Sequence, residues 1–162
     1  MLNTDTWSLA NLHSFLLLHY GFWYAGAHKT RSIQGGAMHI LLVDDEADYL
    51  ELMKNRLEKR GFQVTTAESG LHALAAIEKE AFDVAVLDVK MTGMDGLEVL
   101  RRIKATHPEV EVILLSGHAS LESAVLGVET GAADYLLKPV PINDLIERLN
   151  DVVNKKKPHG VQ

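Results

Sequence analysis

From Met38 onward the apolar residues follow two alternating habits. Short continuous runs, Ile40-Leu41-Leu42-Val43, Val84-Ala85-Val86-Leu87 and Val112-Ile113-Leu114-Leu115, read as strands buried on both faces, as in parallel sheets. Phe62 to Thr66 alternates and is rich in β-branched residues, so it is the second strand; Tyr135 to Lys138 is the fifth. Between the strands, apolar positions recur at helical spacing. Leu50, Met53 and Leu57 mark one helix, closed by Gly61 as a C-cap. Ser69 is placed as the N-cap of a second helix running through about Glu80. Leu97, Leu100, Ile103 and Lys104 lie on a third that ends before Pro108, and Leu121 to Thr130 forms a fourth closed by Gly131. Ile142, Leu145, Ile146, Leu149 and Val152 are the apolar stripe of the last. Five strand–helix units predict an α/β fold, a doubly wound parallel sheet with helices on both faces. Right-handed crossovers then bring all strand C-termini to one edge.

That edge is where open α/β sheets bind ligands, and polar residues gather at it. Asp44 and Asp45 follow the first strand, Asp88 ends the third, Ser116 follows the fourth and Lys138 ends the fifth. Three neighbouring carboxylates raise one another's proton affinity, so the arrangement is costly without a cation. Hard oxygen ligands suit magnesium. With a metal present, Asp88 stays ionised and can attack phosphorus, while the Lys138 ammonium offsets charge on the transferring oxygens. The Ser116 hydroxyl can donate to the same group. A blander alternative makes Asp44 or Asp45 a helix N-cap. Asp95 and Asp134 read as cap and turn residues.

Composition narrows the class. Of 162 residues 47% are hydrophobic and 23% charged, an ordinary globular balance. The formal net charge of −6 argues against bulk attraction to nucleic acid. No cysteine is present, which removes thiol nucleophiles and thiolate zinc sites. The eight histidines are scattered, with no helical pair at ligand spacing.

Residues 1–37 differ from the rest. They hold six of the ten aromatics but only three charges, Asp5, Lys29 and Arg31, whereas Met38 onward carries 14 basic and 21 acidic residues. The expected division is an apolar, aromatic extension at 1–37, a domain at 38–157 and a frayed tail at 158–162. Within the extension, residues 9–27 could dock on a membrane or a partner, but Asn11, His13, Ser14 and His19 interrupt the run and a basic polar face is missing. Membrane contact there is therefore the weaker reading. The other reading is that Gln34-Gly35-Gly36-Ala37 is encoded by a ribosome-binding sequence and that translation starts at Met38. Lys155-Lys156-Lys157 suits the C-terminal end of the last helix as a solvated cationic cluster.

Four motifs carry a family resemblance: Leu42-Val43-Asp44-Asp45-Glu46, Leu87-Asp88-Val89-Lys90-Met91-Thr92-Gly93-Met94-Asp95-Gly96, Ser116-Gly117-His118-Ala119 and Tyr135-Leu136-Leu137-Lys138-Pro139. Residues 38 to about 157 resemble a response-regulator receiver domain of two-component signalling, of the single-domain chemotaxis-regulator type. The resemblance implies a flavodoxin-like sheet of strand order 2-1-3-4-5. It implies Asp88 as phosphoacceptor, Lys138 as phosphate partner, and Ser116 with Tyr135 as a switch pair. It implies a magnesium site formed by Asp45, Asp88 and the backbone carbonyl of Lys90, with Asp44 acting directly or through water. It also implies a cis bond before Pro139, and places Lys90 and His118 where phosphate lifetime is tuned. Thr92 stands where many members have proline, so a looser loop after the acceptor is expected.

The resemblance implies a switch phosphorylated by a sensor histidine kinase or phosphotransfer protein, and the absence of cysteine fits a cytoplasmic setting. Its output would be a changed protein-contact surface on the fourth helix, fifth strand and fifth helix, with no direct nucleic-acid binding, since only five residues follow Lys157. The alternative role is a phosphorelay intermediate that passes the group to a phosphotransfer domain. An enzyme is not expected. A phosphatase with an aspartyl nucleophile usually has a second acid two residues on, where this chain has Lys90. No glycine-rich phosphate loop follows a strand. A fold kept only for interaction would not need the intact acids.

Overall fold

The computed structural model describes residues 36–117 and 121–155, with side chains in the second segment from 124 onward. Expectations for residues 9–27, His118 and the 158–162 tail lie outside these residues. Strands β1 (His39–Val43), β2 (Gln63–Ala67), β3 (Val84–Asp88), β4 (Glu111–Ser116) and β5 (Asp134–Leu137) alternate with helices α1 (Ala47–Glu58), α2 (Gly70–Ile77), α3 (Gly96–Thr106), α4 (Leu121–Thr130) and α5 (Ile142–Lys155). All strands are parallel, in the order β2-β1-β3-β4-β5. This is the expected flavodoxin-like sheet.

The continuous apolar runs have a simple cause. Successive strand side chains point to opposite faces, and both faces are covered. Leu41, Val43, Ala85, Leu87, Val112 and Leu114 pack with Ala73 and Ile77 of α2 and with Val99, Leu100 and Ile103 of α3. Ile40, Leu42, Val84, Val86, Ile113 and Leu115 pack on the other side with Leu50, Met53 and Leu57 of α1 and Leu145, Leu149, Val152 and Val153 of α5. Val153 extends the expected α5 stripe, while Ile142 and Ile146 are only partly buried at its margin. α2 stops at Ile77, short of the expected Glu80.

The helix signals read from the sequence have physical counterparts. Gly61, at φ +87°, donates its N–H to the Glu58 carbonyl at 2.9 Å, and the Phe62 N–H reaches Leu57 O at 3.3 Å. That pair of bonds is a Schellman closure, which needs the left-handed conformation glycine adopts freely. It also removes Phe62 from β2. Ser69 Oγ accepts from the His72 N–H and Asp95 Oδ1 from the Glu98 N–H, each capping the next helix. Asp134 accepts from the Tyr135 N–H at the start of β5, a local turn role.

Register fixes the functional edge. Val43 pairs with Leu87, Asp88 with Leu115, and Ser116 with Leu137. Asp44 and Asp88 therefore leave adjacent strands at the same level, with Ser116 and Lys138 beside them. At the opposite edge His39 is buried and partnered, with Nδ1 2.9 Å from Ala81 O and Nε2 3.0 Å from Thr65 Oγ1. Among the described residues no helix is long and apolar enough to cross a membrane.

Candidate functional site

The site begins with two aspartates that the chain treats differently. Asp44 is 1% exposed. Its Oδ1 accepts the Glu46 N–H at 2.9 Å and its Oδ2 accepts the Lys138 ammonium at 2.5 Å. Asp45 is exposed, and its Oδ2 accepts two bonds from one residue, the Thr92 N–H at 2.9 Å and the Thr92 hydroxyl at 2.8 Å. Neither aspartate caps α1. The N-cap is Glu46, without a side-chain bond, so the capping alternative does not explain the pair.

Asp88 ends β3 at 5% exposure. Its Oδ1 lies 2.9 Å from Lys138 Nζ, and the nearby Lys90 backbone N–H also favours its ionised form. Lys138 thus bridges two carboxylates that reach it from two other strands. Asp44, Asp45 and Asp88 each offer an oxygen, and these oxygens lie within 4.8 Å of one another. Three hard oxygens at that spacing are a donor set that fits a small divalent cation such as magnesium.

Electrostatics follow from burial and partners. Burial pushes the Asp88 carboxyl above the usual carboxylate range, and the bond and charge of Lys138 only partly counter it. Burial opposes the charge on Lys138, but hydrogen bonds to Asp44 and Asp88 overcome it and raise the ammonium's pKa. The Thr92 N–H, then its hydroxyl, hold the Asp45 carboxyl below its ordinary value.

Ser116 is buried, one residue past the partner of Asp88, and its carbonyl accepts the Lys138 N–H at 2.8 Å. Tyr135 pairs with Leu114 in register and is partly buried against the layer formed with α2 and α3. The Lys138–Pro139 peptide is cis, as the resemblance implied. Lys90 is exposed on the loop after Asp88.

Two contacts escaped the sequence reading. The ammonium of Lys138 lies 4.6 Å from the centroid of the Tyr49 ring, within cation–π range. Tyr49 neighbours the α1 stripe, and nothing local signals this second contact. Thr92, expected to leave its loop looser, instead supplies two donors that tie that loop to Asp45. Proline has no N–H and no hydroxyl to give.

Glycine shapes the surroundings of Asp88. A Cβ on Gly96 would lie 2.1 Å from the Asp88 carbonyl oxygen and 3.1 Å from Val89 Cα. The first turn of α3 is thereby allowed to sit on the backbone that carries Asp88, and the Gly96 N–H bonds Val89 O at 3.0 Å.

Comparison with known proteins agrees with this geometry. Residues 40–150 match the family described as response regulator receiver domain. The transcriptional regulatory protein ZraR of Salmonella typhimurium is 34% identical over 127 residues, covering 78% of this chain and 29% of that protein. The chain thus spans well under a third of that curated relative. The crystal structure of a CheY-like response regulator receiver domain protein from Methanospirillum hungatei superposes with a TM-score of 0.72 at 35% identity, covering 74% of this chain and 96% of that one. A response regulator receiver domain from Clostridium thermocellum gives 0.70 at 39% identity, with the same coverage.

Proposed function

Because the chain belongs to the family of response regulator receiver domains, we propose that it is a phosphorylation-dependent switch with Asp88 as phosphoacceptor. The observation that carries this assignment is the Lys138 ammonium held against both Asp44 and Asp88, beside the exposed Asp45. The donor is a phosphohistidine on a sensor kinase or phosphotransfer protein. A carboxylate oxygen of Asp88 bonds to phosphorus as the P–N bond to the imidazole breaks; the electron pair of that bond stays on the ring nitrogen, and the donor ring, protonated on its other nitrogen, departs as neutral imidazole. Asp45, Asp88 and the carbonyl of Lys90 would hold magnesium, with Asp44 close by. Magnesium, when bound, neutralises charge on the transferring oxygens.

The chain's own groups do the rest. Lys138 is placed to follow the charge from the Asp88 carboxylate to the new phosphoryl oxygens. The modified side chain carries roughly −1.5 to −2 charges near neutral pH. The Ser116 hydroxyl donates to it, and the segment after β4 follows. Tyr135, already half-buried, settles inward against the space that this motion opens. The surface of α4, β5 and α5 then changes its preference among partners, a population shift between two states. Val125, Leu126 and Leu137 are exposed on that surface, which supplies apolar area for protein contact. The proposed setting is the cytoplasm. The protein turns over no external substrate; it governs only its own modification.

Phosphotransfer profiling tests the proposal. Kinases of the same cell are charged with labelled ATP and mixed with the full chain and its Asp88→Asn variant. Rapid transfer to the unmodified chain alone is the expected result. Equal labelling of Asp88→Asn would overturn it. Onward passage of label to a phosphotransfer domain would identify a relay intermediate instead of a terminal switch.

A further inference from the structure

Asp45 is the most exposed of the three clustered acids, yet its Oδ2 is fully engaged. It accepts the Thr92 N–H at 2.9 Å and the Thr92 hydroxyl at 2.8 Å. A carboxylate oxygen offers two lone-pair directions, and Thr92 uses both. Asp45 belongs to the loop after β1 and Thr92 to the loop after Asp88, 47 positions along the chain. The far end of that second loop is already fixed by the bond from Gly96 to Val89 and by the Asp95 cap. Thr92 fixes its near side.

We propose that Thr92 is a positioning residue for the acidic cluster, its hydroxyl orienting Asp45 and holding the loop after Asp88 so that the two loops meet a divalent cation at one preset spacing. Without the hydroxyl, an exposed aspartate regains rotamer freedom that cation binding must remove again. The Lys90 carbonyl rides on the same loop and loosens with it. The proposal rests on the magnesium-dependent switch described above and adds a residue that touches neither the cation nor phosphorus.

The test is calorimetric titration of Mg2+ into the full chain and into Thr92→Val and Thr92→Ser. Val removes the hydroxyl but keeps the volume and the N–H; Ser keeps both donors. Thr92 is exposed, so neither change disturbs the core, and unfolding in chelator measures any loss of stability separately. The expected result is a Kd for Thr92→Val raised by roughly tenfold, the low end for partners of metal ligands, with Thr92→Ser near the unmodified value. Equal affinity in all three overturns the positioning role and leaves the phosphoacceptor assignment standing. So does tighter binding by Thr92→Val, which would make the hydroxyl a competitor for Asp45. A stability loss without an affinity change marks a plain loop staple and also overturns it. If the unmodified chain fails to bind Mg2+, both this inference and the switch assignment fall.

Discussion

The ammonium of Lys138 sits 4.6 Å from the centre of the Tyr49 ring. Beyond the two carboxylates, this ring is a third group that fixes where the charge lies. The Tyr49 hydroxyl is buried with no hydrogen-bond partner among the described residues, and burial pushes its pKa up. The ring, not the hydroxyl, is therefore the useful part. Tyr49→Phe is expected to be neutral or stabilising by up to about 1 kcal/mol, since an unsatisfied polar group is removed. Tyr49→Leu is expected to lose about 2 kcal/mol through lost packing and cation–π attraction. Urea unfolding of the two variants side by side checks the difference.

Lys138 is the counter-charge of a nearly dry pair. Asp44 is 1% exposed and Asp88 5%. Lys138→Met leaves both without their ammonium, which is expected to destabilise the domain by about 3 kcal/mol in chelator. Excess magnesium should return part of this, because a ligand that binds only the folded state stabilises it. Denaturant midpoints with and without the ion give the measurement.

The raised pKa of Asp88 sets a sign for stability against pH. Burial makes its ionised form less favourable in the folded chain than in the unfolded one, where the ordinary value is 3.8. Below 3.8 both states are protonated and the group is neutral in the balance. As pH rises through the folded pKa, ionisation costs stability, and the cost persists at neutral pH. Asp88→Asn should therefore stabilise the metal-free chain near neutral pH. That advantage should shrink as pH falls towards 3.8. Thermal melts across that range in chelator test it.

Gly96 lets α3 rest on the backbone of Asp88. A methyl group there would overlap the Asp88 carbonyl oxygen at 2.1 Å. Gly96→Ala is expected to cost about 2–3 kcal/mol by forcing backbone shifts in a packed region. Because the displaced atoms carry Asp88, its phosphorylation rate should fall beyond what lost stability explains, as a comparison with a core variant of matched stability loss away from the site would reveal.

The fold was legible because its signals are local. Continuous apolar runs ending in Asp44, Asp88 and Ser116, with glycines at 61 and 131, identify strand ends and helix stops one element at a time. Parallel crossovers then carry the polar ends to one edge, so the cluster could be assembled without coordinates. The second contacts of the same residues were not legible. Tyr49 meets Lys138 because the lysine side chain reaches from the end of β5 to Asp44, just before α1, and Thr92 meets Asp45 across two loops. Such meetings depend on register and loop height, and no short stretch of sequence encodes them. Thr92 is the instructive case: read as a missing proline it suggests slack, whereas its two donors produce a tie.

The most direct measurement locates the phosphorylated residue. The chain is treated with acetyl phosphate and magnesium, reduced with borohydride to convert an aspartyl phosphate to homoserine, digested, and read by peptide mass spectrometry. Homoserine at position 88, absent when magnesium is chelated, is the expected result. Homoserine at Asp44 or Asp45, or an unchanged Asp88 under conditions that phosphorylate a known receiver domain, would contradict the assignment.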